Sequence, residues 1–146
     1  MDNLERLLKD MQQLLSSIKN HPTFIEIRAA GSILHDFYCG IEKIFEKIAL
    51  FIDDSIPKEE TWHRELLLQM GNDFEKKRSK VISEALMQPL KEYLRFRHLF
   101  RHIYGFELKW DKFKELCINL NDFFKHLIKE LDLFLLNIEK KEKIKS

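Results

Sequence analysis

Leu94-Arg95-Phe96-Arg97-His98-Leu99-Phe100-Arg101-His102-Ile103-Tyr104-Gly105 is the stretch on which the reading of this chain turns. Phe96, Leu99, Phe100 and Ile103 recur three and four residues apart, which is the period of a helix and not the alternation of a strand. They form the expected apolar side, and Gly105 stands where a C′ glycine ends a helix. Into the polar remainder the sequence sets three arginines, two histidines and a tyrosine. Arginine offers a permanently charged planar fork that matches phosphate oxygens, and histidine both takes and gives a proton near neutral pH. The combination points to acid-base chemistry at a phosphate.

Outward from this run the same period continues. A first helix is expected from about Asp2 to Asn20, with Leu4, Leu7, Leu8, Met11, Leu14, Leu15 and Ile18 on one stripe and His21-Pro22 as its stop. Thr23-Phe24-Ile25-Glu26 is a capping-box pattern that opens a longer second helix, carrying Ile27, Ala30, Ile33, Leu34, Phe37, Ile41, Ile44, Phe45, Ile48 and Ile52 until Asp53-Asp54-Ser55-Ile56-Pro57 ends it. A short amphipathic piece around Trp62-His63-Arg64-Glu65-Leu66-Leu67 closes at Gly71-Asn72. A third long helix then runs from about Lys80 to Tyr104, with a kink expected at Pro89, and a fourth spans about Trp110 to Lys140. Four glycines and three prolines leave little punctuation, and no segment alternates long enough for a sheet. The pattern predicts an all-α chain, a four-helix up-and-down bundle with a short extra helix, in a single domain over residues 1–146. The twelve phenylalanines fall at helical spacing and are read as core.

With 25 basic and 24 acidic residues, net charge is only +1, so bulk electrostatics does not announce a nucleic-acid binder. The local balance differs, because Lys91, Arg95, Arg97 and Arg101 face Glu92 alone between Lys91 and His102. Lys140, Lys141, Lys143 and Lys145 form a second basic cluster, read as a solvated helix end. Cys39 and Cys117 lie far apart with no CxxC pair, which fits two free thiols in a reducing compartment and a cytoplasmic location. Charges begin at Asp2 and interrupt every apolar stretch, so neither an export leader nor a membrane span is expected.

Arg97 and His102 enclose four residues, and Tyr104 follows two later, giving R-x4-H-x-Y; Arg95 with His102 satisfies a longer x6 spacing. R-x4-H alone is expected about 0.3 times by chance in a chain of this composition, and the added tyrosine lowers that to roughly 0.006. The motif resembles that of the HEPN superfamily, and within it the HepT-like ribonuclease toxins, whose R-x4-6-H often carries a polar residue after the arginine, as His98 does here. Trp62-His63-Arg64-Glu65-Leu66-Leu67 resembles a stretch of the same subgroup, but Trp62 is read as an anchor packing the short helix and His63 as a surface residue.

The resemblance implies a metal-independent endoribonuclease toxin in a toxin-antitoxin system, working as a homodimer with an RNA cleft between subunits. Arg97 and His102 are the candidate catalytic pair, with His102 taking the proton of a ribose 2′-OH and Arg97 holding the phosphate. Arg95, His98 and Arg101 are candidate phosphate contacts. The resemblance further implies a minimal nucleotidyltransferase antitoxin that silences the toxin by AMPylation of Tyr104. In an ideal helix Arg97 and His102 point about 140° apart. A shared site then requires the helix to unwind before Gly105 or a second copy to complete the site. His98 and His102 have the i, i+4 spacing of two metal ligands, but HExxH and the usual third ligand are missing, so no metal and no cofactor are expected. A non-catalytic HEPN protein that binds nucleotide or RNA, and a helical scaffold for a partner protein, remain as alternatives.

Overall fold

The computed structural model of the protein describes residues 2–145, with side chains through residue 143. Met1, and the side chain of Lys145 in the basic tail, lie outside the described residues. The chain is all-α, as its periodicity predicts, with no strand among those residues. Its helices are α1 (Asp2–Ser17), α2 (Phe24–Ile48), α3 (Trp62–Met70), α4 (Glu84–His102), α5 (Trp110–Ile118) and α6 (Leu120–Lys145). A π-helical turn, Ala49–Asp53, follows α2, and a 3-10 turn, Gly105–Glu107, follows α4. No helix of the described residues is long and apolar enough to cross a membrane.

The capping box forms as the sequence predicts. The Glu26 carboxylate accepts from the Thr23 backbone N–H at 2.8 Å, and the Thr23 hydroxyl accepts from the Glu26 N–H at 3.1 Å. The Thr23 amide, joined by the Ser17 hydroxyl, holds the Glu26 carboxyl below its usual range. Two expected boundaries shift. The third long helix starts at Glu84 and not Lys80, because the Val81 and Ile82 amides donate to the Met70 carbonyl and Ser83 caps the helix through its hydroxyl. The fourth divides at Asn119, a residue whose side chain competes with helical hydrogen bonds and whose backbone sits at φ −87°, ψ 0°.

Packing divides the chain into two compact units: residues up to Lys43 with Lys91–Asn121, and Ile44–Leu90 with residues from Asp122 onward. In the first unit α1 buries Leu4, Leu8 and Met11. Leu4 packs onto Gly40, where its Cδ2 lies 2.6 Å from the place a Cβ would take. Tyr93 donates to the Leu116 carbonyl at 2.8 Å, and the Phe96 and Phe113 rings pack at 4.9 Å, fixing the end of α4 against α5.

The second unit buries Phe45, Leu66, Leu67, Met70, Ile82, Leu86, Leu90, Leu127 and Leu131. Within it, Arg78 and Asp53 form a fork-to-fork ion pair with both side chains fully enclosed, at 2.5 and 2.7 Å. Arg78 also donates to the carbonyls of Asn72, Ser79 and Gln69, so all five of its N–H groups are satisfied. This pair ties the π-helical turn to the loop before α4. At the head of α4, Ser83 is held through both its amide and its hydroxyl by Glu130.

Candidate functional site

All candidate residues belong to the first unit, and α4 carries most of them. That helix stays regular through His102, so it does not unwind to bring Arg97 and His102 together. Its inward face is Tyr93, Phe96 and Arg97, with Phe100 half-buried, and its outward face is Arg95, His98, Leu99 and His102. The buried side is therefore turned from the expected Phe96-Leu99-Phe100-Ile103 stripe: Leu99 is 47% exposed, while Arg97 is 7% exposed. The cause is local. Gly31 opens a seat for Phe100, α5 takes Phe96 and Tyr93, and Arg97 shares their side of the helix.

Arg97 and His102 thus leave the helix on different faces, one enclosed and one in solvent. Arg97 Nε has no hydrogen-bond partner among the described residues, and neither has the hydroxyl of the fully buried Tyr38. Burial pushes the Tyr38 phenol far above its ordinary range, and the Glu42 carboxylate pushes it further, against the opposing pull of the Arg97 charge. The three groups make a buried polar cluster beneath α4.

On the outer face, Arg95 and His102 lie two turns apart on one line, with His98 between them. The His98 and His102 rings stack at 4.2 Å. His102 Nδ1 lies 2.7 Å from the His98 carbonyl, which only accepts, so Nδ1 carries the hydrogen and Nε2 is left as the free nitrogen. Arg101 is exposed as well.

Beyond His102 the backbone turns out of the helix. Tyr104 is extended, with φ −75° and ψ 150°, and its amide donates to the Glu107 carboxylate at 3.0 Å. The Tyr104 side chain is 70% exposed and lies nearly parallel to the Phe106 ring at 5.3 Å. Gly105 is not the left-handed C′ residue that its position suggested, since no glycine has positive φ. Its requirement is space: Arg28 of α2 lies against it, with Cζ 2.9 Å from where a Cβ would stand. The placing of Arg28 at this corner is not readable from the sequence, because nothing local ties a residue of α2 to one more than seventy positions later.

Two cavities flank this corner, and Ile103 and Leu108 line both. The larger, about 770 Å³, runs along the outer face of α4 past Arg95 and His98 toward Lys109, just before α5, and Lys112 within it. Glu92, Glu107 and Glu115 also line it and balance its cations. The charge lining this side is therefore mixed and not basic in bulk. The smaller, about 480 Å³, is walled by Arg28, Ala29, Ser32, Phe100 and Gly105 among others.

Of the sequence-predicted residues, then, Arg95, His98 and His102 share a face with Tyr104 following close in the chain, Arg101 is exposed beside them, and Arg97 is turned inward. Curated proteins and solved structures yield no match to this chain. A family model described as HepT-like protein matches residues 29–138, which takes in most of α2 and all of α3 through α5. The helical plan, the R-x4-H-x-Y motif at the end of α4 and this match over most of the length agree, and the chain belongs to the HepT-like family.

Proposed function

We propose that the protein is a metal-independent endoribonuclease and the toxin of a toxin-antitoxin pair. The observation that carries the reading is the exposed line Arg95-His98-His102, with His102 held in the tautomer a general base needs. His102 Nε2 takes the proton of a ribose 2′-OH, the 2′ oxygen attacks the adjacent phosphorus, and the bond to the 5′ oxygen breaks to leave a 2′,3′-cyclic phosphate. Arg95 neutralises charge on the non-bridging oxygens. DNA, which lacks the hydroxyl, is spared.

Within this reading the x6 spacing supplies the phosphate arginine. Arg97 acts as a brace beneath the helix and not on the phosphate. An in-line displacement puts the departing 5′ oxygen on the far side of phosphorus from the 2′ oxygen. The acid that protonates it is therefore not His98, whose ring stacks on His102. A second copy of the chain facing the first supplies the acid, which is the physical case for a homodimer.

Tyr104 is the proposed control point. Its exposed hydroxyl attacks the α-phosphorus of ATP on a nucleotidyltransferase antitoxin, forming a phosphodiester as pyrophosphate leaves and the phenol proton is lost. Each added AMP brings a negative charge to a surface that relies on Arg95 and Arg101 meeting RNA phosphates. His102→Ala should lower RNA cleavage at least ~10²-fold with the melting temperature unchanged. EDTA should leave the wild type active. Tyr104→Phe should still cut RNA yet gain no AMP-sized mass on co-expression with the antitoxin. Cleavage that survives in His102→Ala, or stops with EDTA, refutes the mechanism. RNA bound but not cut by the wild type would leave the face a binding surface.

A further inference from the structure

The smaller cavity, about 480 Å³ at the start of α2, is not used by the chemistry above. Its size is in the range of small-ligand sites. Apolar side chains of Ala29, Phe100, Ile103 and Leu108 make most of its wall, with the exposed Ser32 as a polar edge. Arg28 stands at its side. The guanidinium lies against Gly105, and its Cζ is 5.3 Å from the centre of the Phe24 ring. Among the described residues it has no carboxylate partner. The Phe24 ring and the Gly105 backbone lie beside this exposed guanidinium and leave its N–H groups open to an anion.

The surroundings are equally specific. Phe24, beside the guanidinium, is 45% exposed, and Phe106, next in the chain to Gly105, is 69% exposed, so two aromatic rings at this corner are open to solvent. Aromatic faces beside a positive charge are how proteins hold unpaired nucleotides, the base stacking on a ring and the phosphate meeting the cation. The cavity also adjoins the proposed catalytic face, because Ile103 and Leu108 wall both cavities and Ile103 follows His102 directly.

We infer that Arg28, Phe24, Ser32 and Phe106 form a nucleotide subsite that grips the RNA strand beside the scissile position, Arg28 on a phosphate and the apolar cavity on an unstacked base. The inference rests on the reading of RNA as substrate. A base paired in a duplex cannot enter this cavity, so the subsite takes an unpaired nucleotide.

A short 2′-O-methyl oligoribonucleotide tests this without cleavage, since its blocked 2′ oxygen cannot attack. Binding is read by fluorescence anisotropy across a salt series. Arg28→Gln should weaken binding about tenfold and reduce the slope of log K against log salt by about 0.7, the signature of one lost phosphate contact to a single strand. Phe24→Ala should weaken binding by a similar factor through lost stacking while leaving the slope unchanged. Gly105→Ala should resemble Arg28→Gln, because its Cβ displaces the guanidinium without altering any charge. The same oligonucleotide in a duplex should bind more weakly.

Wild-type cleavage of unmodified RNA combined with unchanged affinity and slope in Arg28→Gln and Phe24→Ala overturns the subsite and leaves the ribonuclease reading standing. A change in sedimentation in these variants, with RNA affinity intact, also overturns it and makes the cavity a protein contact. A wild type that neither binds the probe nor cuts RNA removes both.

Discussion

Replacing Arg78 with methionine isolates the strongest polar interaction of the second unit. The substitution keeps an unbranched side chain of comparable length but removes five hydrogen bonds, two of them to the Asp53 carboxylate. Both partners are fully enclosed, so no water replaces what is lost, and the Asp53 carboxylate keeps the Gln69 amide at 2.8 Å while the Lys77 ammonium bonds only the Asp53 backbone carbonyl. Removing one member of such a pair costs about 3–5 kcal/mol. For a chain of this size that is a fall in melting temperature of about 6–20 °C. Urea denaturation and thermal melts followed by circular dichroism would measure it. Asp53→Leu combined with Arg78→Met leaves no orphan charge and should recover part of the loss. A single variant within about 1 kcal/mol of wild type, or a double variant less stable than the single, would refute the reasoning.

Arg95 and Arg97 should respond oppositely to truncation. Arg95→Ala removes a solvated guanidinium and should lower cleavage at least ~10-fold while moving stability by no more than about 0.5 kcal/mol. Arg97→Ala empties an enclosed place and should cost about 1–3 kcal/mol, with activity per folded molecule less affected than in Arg95→Ala. Equal melting temperatures with a greater loss in Arg97→Ala would put Arg97 on the phosphate after all. Glu26 is a carboxyl lowered by the Thr23 amide and the Ser17 hydroxyl, so its contribution is complete above its ordinary value of 4.5 and is lost as pH falls through the lowered one. Glu26→Gln should therefore be less stable than wild type near neutrality and match it in strong acid; a gap that persists in acid would contradict the cap.

Much of the helical plan was legible because it depends on neighbours in sequence. Thr23 and Glu26 announce the start of α2 three residues apart, and Asp53-Asp54 its end, where Asp54 turns left-handed at φ 53°. What depended on distant partners was not. Asp53 reads as a helix stop, yet its partner Arg78 comes 25 residues later. Gly105 reads as a C′ glycine, yet it is needed for an arginine on another helix. The rotation of α4 lay between these cases. Phe96 and Phe100 fit either setting of the helix, and only the seat at Gly31 and the bond from Tyr93 to Leu116 turn Leu99 outward and Arg97 inward. The exposed members of the candidate site were thus readable from the motif, while the corner formed by Arg28 required the fold.

The two cysteines differ in a way that makes one of them a handle. Cys117 is 1% exposed, and burial pushes its thiol up to about 12, so it offers almost no thiolate to an alkylating reagent. Cys39 is only half-buried, on α2, with its sulfur 3.8 Å from His35 Nε2, and the His35 ring in turn packs on Phe100. To maleimides the folded chain therefore behaves as a single-cysteine protein. A fluorophore or spin label introduced without any mutation reports from the same packed unit that holds the Arg28 cavity.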